Sequence, residues 1–165
     1  SIPYISPEQT GRMNRSVDYR TDFYSLGITF YELITGKLPF HSEDLLEIIH
    51  SHLAKIPESP SLIRPEIPEM VSKIILKLIS KTAEERYQSA KAILNDLQRC
   101  YEDWTSTGKV DIFTIAESDY SEEFKIPQKL YGRTNEINKL LSEFENTCQS
   151  GKSRLMLISG YSGIG

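Results

Sequence analysis

Six residues close to the end of this 165-residue chain have the types and spacing to hold phosphate. Gly160, Tyr161, Ser162, Gly163, Ile164 and Gly165 form a G-x-x-x-x-G pattern just after an apolar run at 155–158. Backbone N–H groups of such a turn, placed at the end of a buried strand, cradle the phosphates of a nucleotide. The Lys and Ser/Thr that complete a P-loop would lie past residue 165. A plain glycine-rich turn fits the same six residues. A second candidate is Arg86, which follows Glu84 and Glu85. Its planar guanidinium suits bidentate recognition of a carboxylate, which Lys would do poorly. It would equally offset its two acidic neighbours on a surface. His41, His50, His52, Cys100 and Cys148 form no metal or nucleophile constellation. His50 and His52 are two apart, so on a helix they diverge and read as surface histidines. Two distant cysteines without C-x-x-C spacing read as reduced thiols of a cytosolic protein.

These residues must be positioned by helices. The stretch 21–36 carries Phe23, Tyr24, Leu26, Ile28, Phe30, Tyr31, Leu33 and Ile34 around most of a helical circumference. Only Ser25, Thr29 and Glu32 make a polar stripe, so the helix is expected to be enclosed by other elements. Gly36 suits its left-handed stop, and Pro39 cannot continue it. Ser42 reads as the N-cap of a second helix ending near Leu53, with Leu45, Leu46, Ile48, Ile49 and Leu53 as its apolar stripe. A proline- and serine-rich loop covers 54–68, and Pro68 suits the first position of a third helix. That helix repeats Met70, Val71, Ile74, Ile75, Leu78 and Ile79 on one face. Ser89 caps a last helix bearing Ile93, Leu94, Leu97 and Tyr101. Residues 1–20 read as an irregular loop. Residues 102–126 read as a mostly irregular acidic linker with a short strand at 110–115. A new unit starts at 127, with a helix through Ile137, Leu140, Leu141 and Phe144, a stop at Ser150-Gly151, and the strand 155–158.

Four markers occur in order: Pro7-Glu8, Asp22-x-x-Ser25-Leu26-Gly27, Gly36-x-x-Pro39-Phe40, and Arg86 after its acidic pair. Over residues 1–101 the chain resembles the C-terminal lobe of a bacterial Ser/Thr protein kinase, from the end of the activation segment onward. Two positions depart from the usual family pattern: Ser6 stands where Ala is common, and Tyr24 where Trp is common. The resemblance implies that Ser1 hydrogen-bonds the catalytic Asp and positions the acceptor. It implies that Glu8 pairs with Arg86, and that Asp22 braces the backbone of the catalytic loop. Without it, Ser1 is a loop serine, Glu8 a solvated acid, and Asp22 a carboxylate accepting N–H bonds at a helix start. Residues 127–165, with Leu130-Tyr131-Gly132-Arg133 ahead of the helix, resemble the start of an AAA-like or STAND-type ATPase domain. The expected fold class is therefore a mainly α kinase C-lobe, a partial protein-kinase-like fold, over 1–101. A linker at 102–126 then leads to the beginning of an α/β P-loop NTPase domain, helix plus strand, at 127–165.

Phosphoryl transfer needs a Lys over the phosphates, an Asp for the hydroxyl proton, and Asn and Asp ligands for magnesium. The chain has no His-Arg-Asp, Asp-Phe-Gly or Val-Ala-Ile-Lys. It is expected to be inactive alone and to bind neither ATP nor Mg2+ well. The resemblance implies a parent that uses ATP and Mg2+ to phosphorylate protein Ser or Thr, fused to an ATPase module. Such multidomain proteins often continue into sensor and histidine-kinase modules. The rivals are a pseudokinase scaffold and an ATPase whose helical N-terminal region only looks like a kinase lobe. Expected partners are protein substrates and signalling proteins, docking around the 42–53 helix. A net charge of −4 argues against general nucleic-acid or anionic-membrane binding. No apolar run is long enough to span a membrane, and no signal peptide is seen, so the protein is expected in the cytoplasm. The chain lacks an initiator Met and starts and stops within motifs, so it reads as an internal piece of a longer protein.

Overall fold

Helix α1, Arg20–Thr35, lies against α4, Glu69–Leu78, and their crossing shapes the first unit. The computed structural model describes residues 2–12, 15–117, 119–120, 132–153 and 155–157. The chain divides into two units, 1–126 and 127–165. α1 and α4 meet at Gly27, where an added Cβ would sit 2.6 Å from Leu78 Cβ and 2.7 Å from Ile79 Cγ2. α1 stops at Gly36, whose φ of +76° costs a glycine nothing and whose N–H donates to the Glu32 carbonyl. The enclosure expected for α1 is only partial. Tyr24, Ile28 and Tyr31 are buried, but Asp22 and Thr29 are exposed and Leu33 is 72% exposed. The elements present cover one side of this helix.

α4 is the element buried on two sides. Met70, Ile74 and Leu78 join Tyr87, Ala92, Ile93 and Cys100 in one core cluster. Ile75 and Ile79 join Tyr24, Ile28 and Tyr31 in another. Each of these buried aliphatic side chains stabilises the fold by about 1.5–3 kcal/mol. Lys73 and Lys77 stay outside the core, Lys73 paired with Glu69 at 2.7 Å. Pro68 stands at the N-cap of α4 rather than at its first position.

The remaining helices of this unit are α2, Leu45–Ala54, the short α3, Pro60–Ile63, and α5, Ala90–Thr107. Asp44, not Ser42, caps α2: its Oδ1 accepts the Leu46 N–H at 2.8 Å. Ser42 instead receives the Asp44 N–H and bonds to Glu47, so its hydroxyl tightens the turn outside the helix. The expected apolar stripe of α2 is displaced. Leu45 and Leu46 are exposed, whereas Ser51 and His52 are buried. Ser89 caps α5 by accepting the Ala92 N–H at 3.2 Å. α5 runs past Tyr101 into the region expected as linker, since Glu102 stands exposed and Asp103 partly exposed on a helix that continues until Gly108, with φ +71°, ends it. No strand forms at 110–115. Val110, Phe113 and Ile115 pack on the helical core, and among the described residues there is no partner strand with which to build a ladder.

In the second unit, α6 covers Thr134–Ser150 and ends at Gly151, whose N–H reaches the Thr147 carbonyl. The strand expected at 155–158 is not seen over its described residues, 155–157, and Leu155 is 96% exposed. A lone strand has no neighbour to satisfy its backbone. Among the described residues no helix is long and apolar enough to cross a membrane.

Candidate functional site

The site centres on a buried guanidinium. A sharp loop after α4 contains the 3-10 turn Ala83–Glu85 and leaves Arg86 extended, pointing inward. Arg86 Nη1 and Nη2 donate to Glu8 Oε1 and Oε2 at 2.7 and 2.8 Å, across 78 residues of sequence. The side chains of this pair are 0% and 5% exposed. The other Arg86 donors go to backbone carbonyls: Nε to Ser80 at 2.9 Å, Nη1 to Arg20 at 3.0 Å and Nη2 to Lys81 at 3.3 Å. All five N–H bonds of the fork are thereby used, which a buried charge requires. The guanidinium also lies 4.9 Å over the Tyr24 ring.

Glu8 sits in the 3-10 turn Pro7–Thr10, where prolines at 3 and 7 disfavour a longer helix. Its Oε1 accepts a further bond from Thr21 Oγ1 at 2.8 Å, from the first turn of α1. Burial works against the carboxylate charge. The Arg86 hydrogen bonds and charge, helped by the Thr21 hydroxyl, outweigh it and hold Glu8 below the ordinary carboxyl range. The opening segment is tied down twice more. Ser25 Oγ donates to the Tyr4 carbonyl at 2.9 Å, and the Tyr4 hydroxyl donates to the Glu32 carboxylate.

A second layer lies beneath. Tyr24 is buried, and its hydroxyl meets His52 Nδ1 at 2.8 Å. His52 is fully buried, not at the surface, and Phe40 packs edge-on against it at 5.1 Å. The Pro3 backbone favours its charged form weakly, and its Nε2 has no hydrogen-bond partner among the described residues. With the ring proton on Nε2, Nδ1 is free to accept the Tyr24 O–H. Burial, and then the nearby Lys81 charge, push the His52 pKa down to about 4, so the imidazole is neutral. Lys81 Nζ donates to the Ser51 carbonyl at 3.0 Å and lies 4.4 Å over the Phe40 ring. Burial and the Arg86 charge bring its pKa down to about 8.

The structure thus brings Glu8 and Arg86 together. Asp22 stands apart from them, exposed in the first turn of α1. Its carboxylate caps no helix N–H, although the helix dipole favours its position. Ser1 lies outside the described residues, as do Gly160, Tyr161, Ser162, Gly163, Ile164 and Gly165. Two participants had no clear signal in the chain. Thr21 looked like an ordinary helix-start residue. His52 could have been found from Tyr24, since a tyrosine on a buried helix needs a partner for its hydroxyl. The cluster has no exposed nucleophile or acid. It fixes the segment Ser6 to Thr10 on α1 and α2 and holds a charge balance in the interior.

Residues 1–97 match the family described as protein kinase domain. The hybrid signal transduction histidine kinase G of Dictyostelium discoideum is 36% identical over an alignment of 182 residues. That alignment covers 98% of this chain and 5% of that protein. The peroxide stress-activated histidine kinase of Schizosaccharomyces pombe is 34% identical over 146 residues, 88% of this chain and 6% of its own length. A probable serine/threonine-protein kinase of Clostridium perfringens is 38% identical over 103 residues, 62% of this chain and 15% of its own. The chain therefore spans only a small part of the relatives it matches.

Proposed function

The chain belongs to the protein kinase domain family, and from that premise we propose that it is the substrate-side part of a kinase lobe in a signalling protein that phosphorylates Ser or Thr. The buried bidentate Glu8–Arg86 pair carries this reading. It supports a role in which the opening segment, which would face the acceptor protein, is held rigidly on α1. In this reading Ser1 helps position the acceptor hydroxyl and Asp22 braces the catalytic loop from its exposed place on α1. ATP and Mg2+ supply the phosphoryl group and neutralise its charge in such enzymes. The groups that do the transfer would come from the rest of the parent, and the chain alone would show no phosphotransfer. Residues 127–165 would open an ATPase module, a reading supported by their glycine pattern and by Tyr131-Gly132-Arg133 ahead of the helix. The protein would act in the cytoplasm on protein substrates.

The scaffold reading has one observation in its favour. Two relatives that align with 88% or more of the chain are named histidine kinases, so phosphotransfer in such proteins need not come from this domain. A single assay separates the two. The intact parent, given ATP labelled at the γ-phosphate, should label casein or itself on Ser and Thr. Glu8→Gln should lower that rate about 10–100-fold, the cost of a misplaced acceptor segment. A folded parent that labels no Ser or Thr would leave the scaffold reading standing.

A further inference from the structure

The segment after α5 turns back at Gly108 and runs antiparallel along that helix. The Asp111 N–H donates to Asp103 Oδ2 at 3.2 Å. The Phe113 ring lies 4.3 Å under the Arg99 guanidinium. The Ala116 N–H donates to Asp96 Oδ2 at 2.8 Å, the oxygen that also accepts the Tyr87 hydroxyl. Asp119 reaches the start of the helix, where Oδ2 accepts the Gln88 N–H at 2.6 Å and Oδ1 the Ser89 hydroxyl at 2.9 Å. Between these polar anchors Val110, Phe113, Ile115 and Ala116 cover the core cluster that contains Cys100.

The far end of this segment lands beside the anchor. Gln88, held by Asp119, donates from Nε2 to the Arg86 carbonyl at 2.7 Å and accepts from Arg20 Nη1 at 2.7 Å. Its carbonyl accepts the Tyr19 hydroxyl at 2.7 Å. One residue thus joins the strap, the loop of Arg86 and the entry to α1. The hold is not deep. Ile112 and Tyr120 are exposed, and Ala116 sits at φ +58°, a left-handed conformation that disfavours a residue with a Cβ. A segment seated by side-chain anchors, with no helix or sheet ladder of its own, opens locally at less than the cost of global unfolding.

We propose that residues 109–120 are a releasable strap, seated by Asp96 and Asp119, and that its release loosens the loop that presents Arg86 to Glu8. Any event that draws on the strap would reach the anchor through Gln88. Neither readout below depends on phosphotransfer, so the outcome is separate from that of the kinase assay. In the intact protein, iodoacetamide labelling of Cys100 is followed site by site against the exposed Cys148, together with hydrogen exchange at the Gln9, Glu85 and Arg86 amides. Asp119→Ala should speed both about fivefold or more. Ala116→Gly, which relieves the left-handed backbone, should slow both by about fivefold, an effect that misfolding cannot mimic. Labelling and exchange within twofold of wild type in both variants would overturn the proposal. So would faster Cys100 labelling with unchanged exchange at Glu85 and Arg86, since the strap would then be only a cover.

Discussion

Arg86 is stable as a buried cation because every N–H of its fork has an acceptor and one acceptor pair is ionised. A Lys could reach Glu8 with one ammonium but could not fill the carbonyls of Ser80, Lys81 and Arg20 at once. Below this pair, His52 makes the interior sensitive to acid. Its pKa falls from an ordinary 6.5 to about 4 in the fold. Between those values the unfolded chain takes up a proton that the folded one refuses. His52 therefore adds stability that is complete above pH 6.5 and is lost as pH drops toward 4. Urea unfolding across that range should show wild-type stability falling with acidity. His52→Gln, which keeps a side chain able to meet the Tyr24 hydroxyl, should flatten that fall. An unchanged slope in the variant would mean that His52 is not the group being protonated. Arg86 and its pairing with Glu8 both came through the family likeness, because no local pattern ties residue 86 to residue 8. His52 was misplaced because its helix carries more apolar residues than its core contact uses, and the leucines at 45 and 46 face outward.

At the scale of elements, the crossing of α1 and α4 depends on a glycine. Gly27→Ala would set a methyl within 2.7 Å of atoms on both Leu78 and Ile79. Packed cores do not absorb such a group freely, and the expected loss is about 1–3 kcal/mol. A thermal or urea midpoint equal to wild type would show that α4 shifts at no cost. The stripe of α4 was legible because its apolar residues repeat at helical spacing and nothing interrupts them. The stops at Gly36 and the cap at Ser89 were legible because each needs a particular residue type. The length of α5 was hidden by an acidic tail that reads as linker although it is helical and partly exposed. The segment at 110–115 has strand-like residues, yet it is held by side chains of α5, and local composition does not distinguish these cases.

At the scale of the molecule, one long-range contact gives the first unit its meaning. The opening turns, α1 and the loop after α4 are distant in sequence, and Glu8, Thr21 and Arg86 gather them at one point. The family match over 1–97 places this point in a protein kinase domain, and Asp119 holds Gln88, two residues past Arg86. The most direct test is a double-mutant cycle on this chain with Glu8→Gln, Arg86→Met and the pair together. Urea unfolding would be read from Trp104, the chain's one tryptophan. Each single change should cost about 3–5 kcal/mol by stranding a buried partner, and the double variant should cost at least ~2 kcal/mol less than the sum. Costs that add to within ~0.5 kcal/mol would mean that Glu8 and Arg86 do not hold each other, and the anchored segment would lose its support.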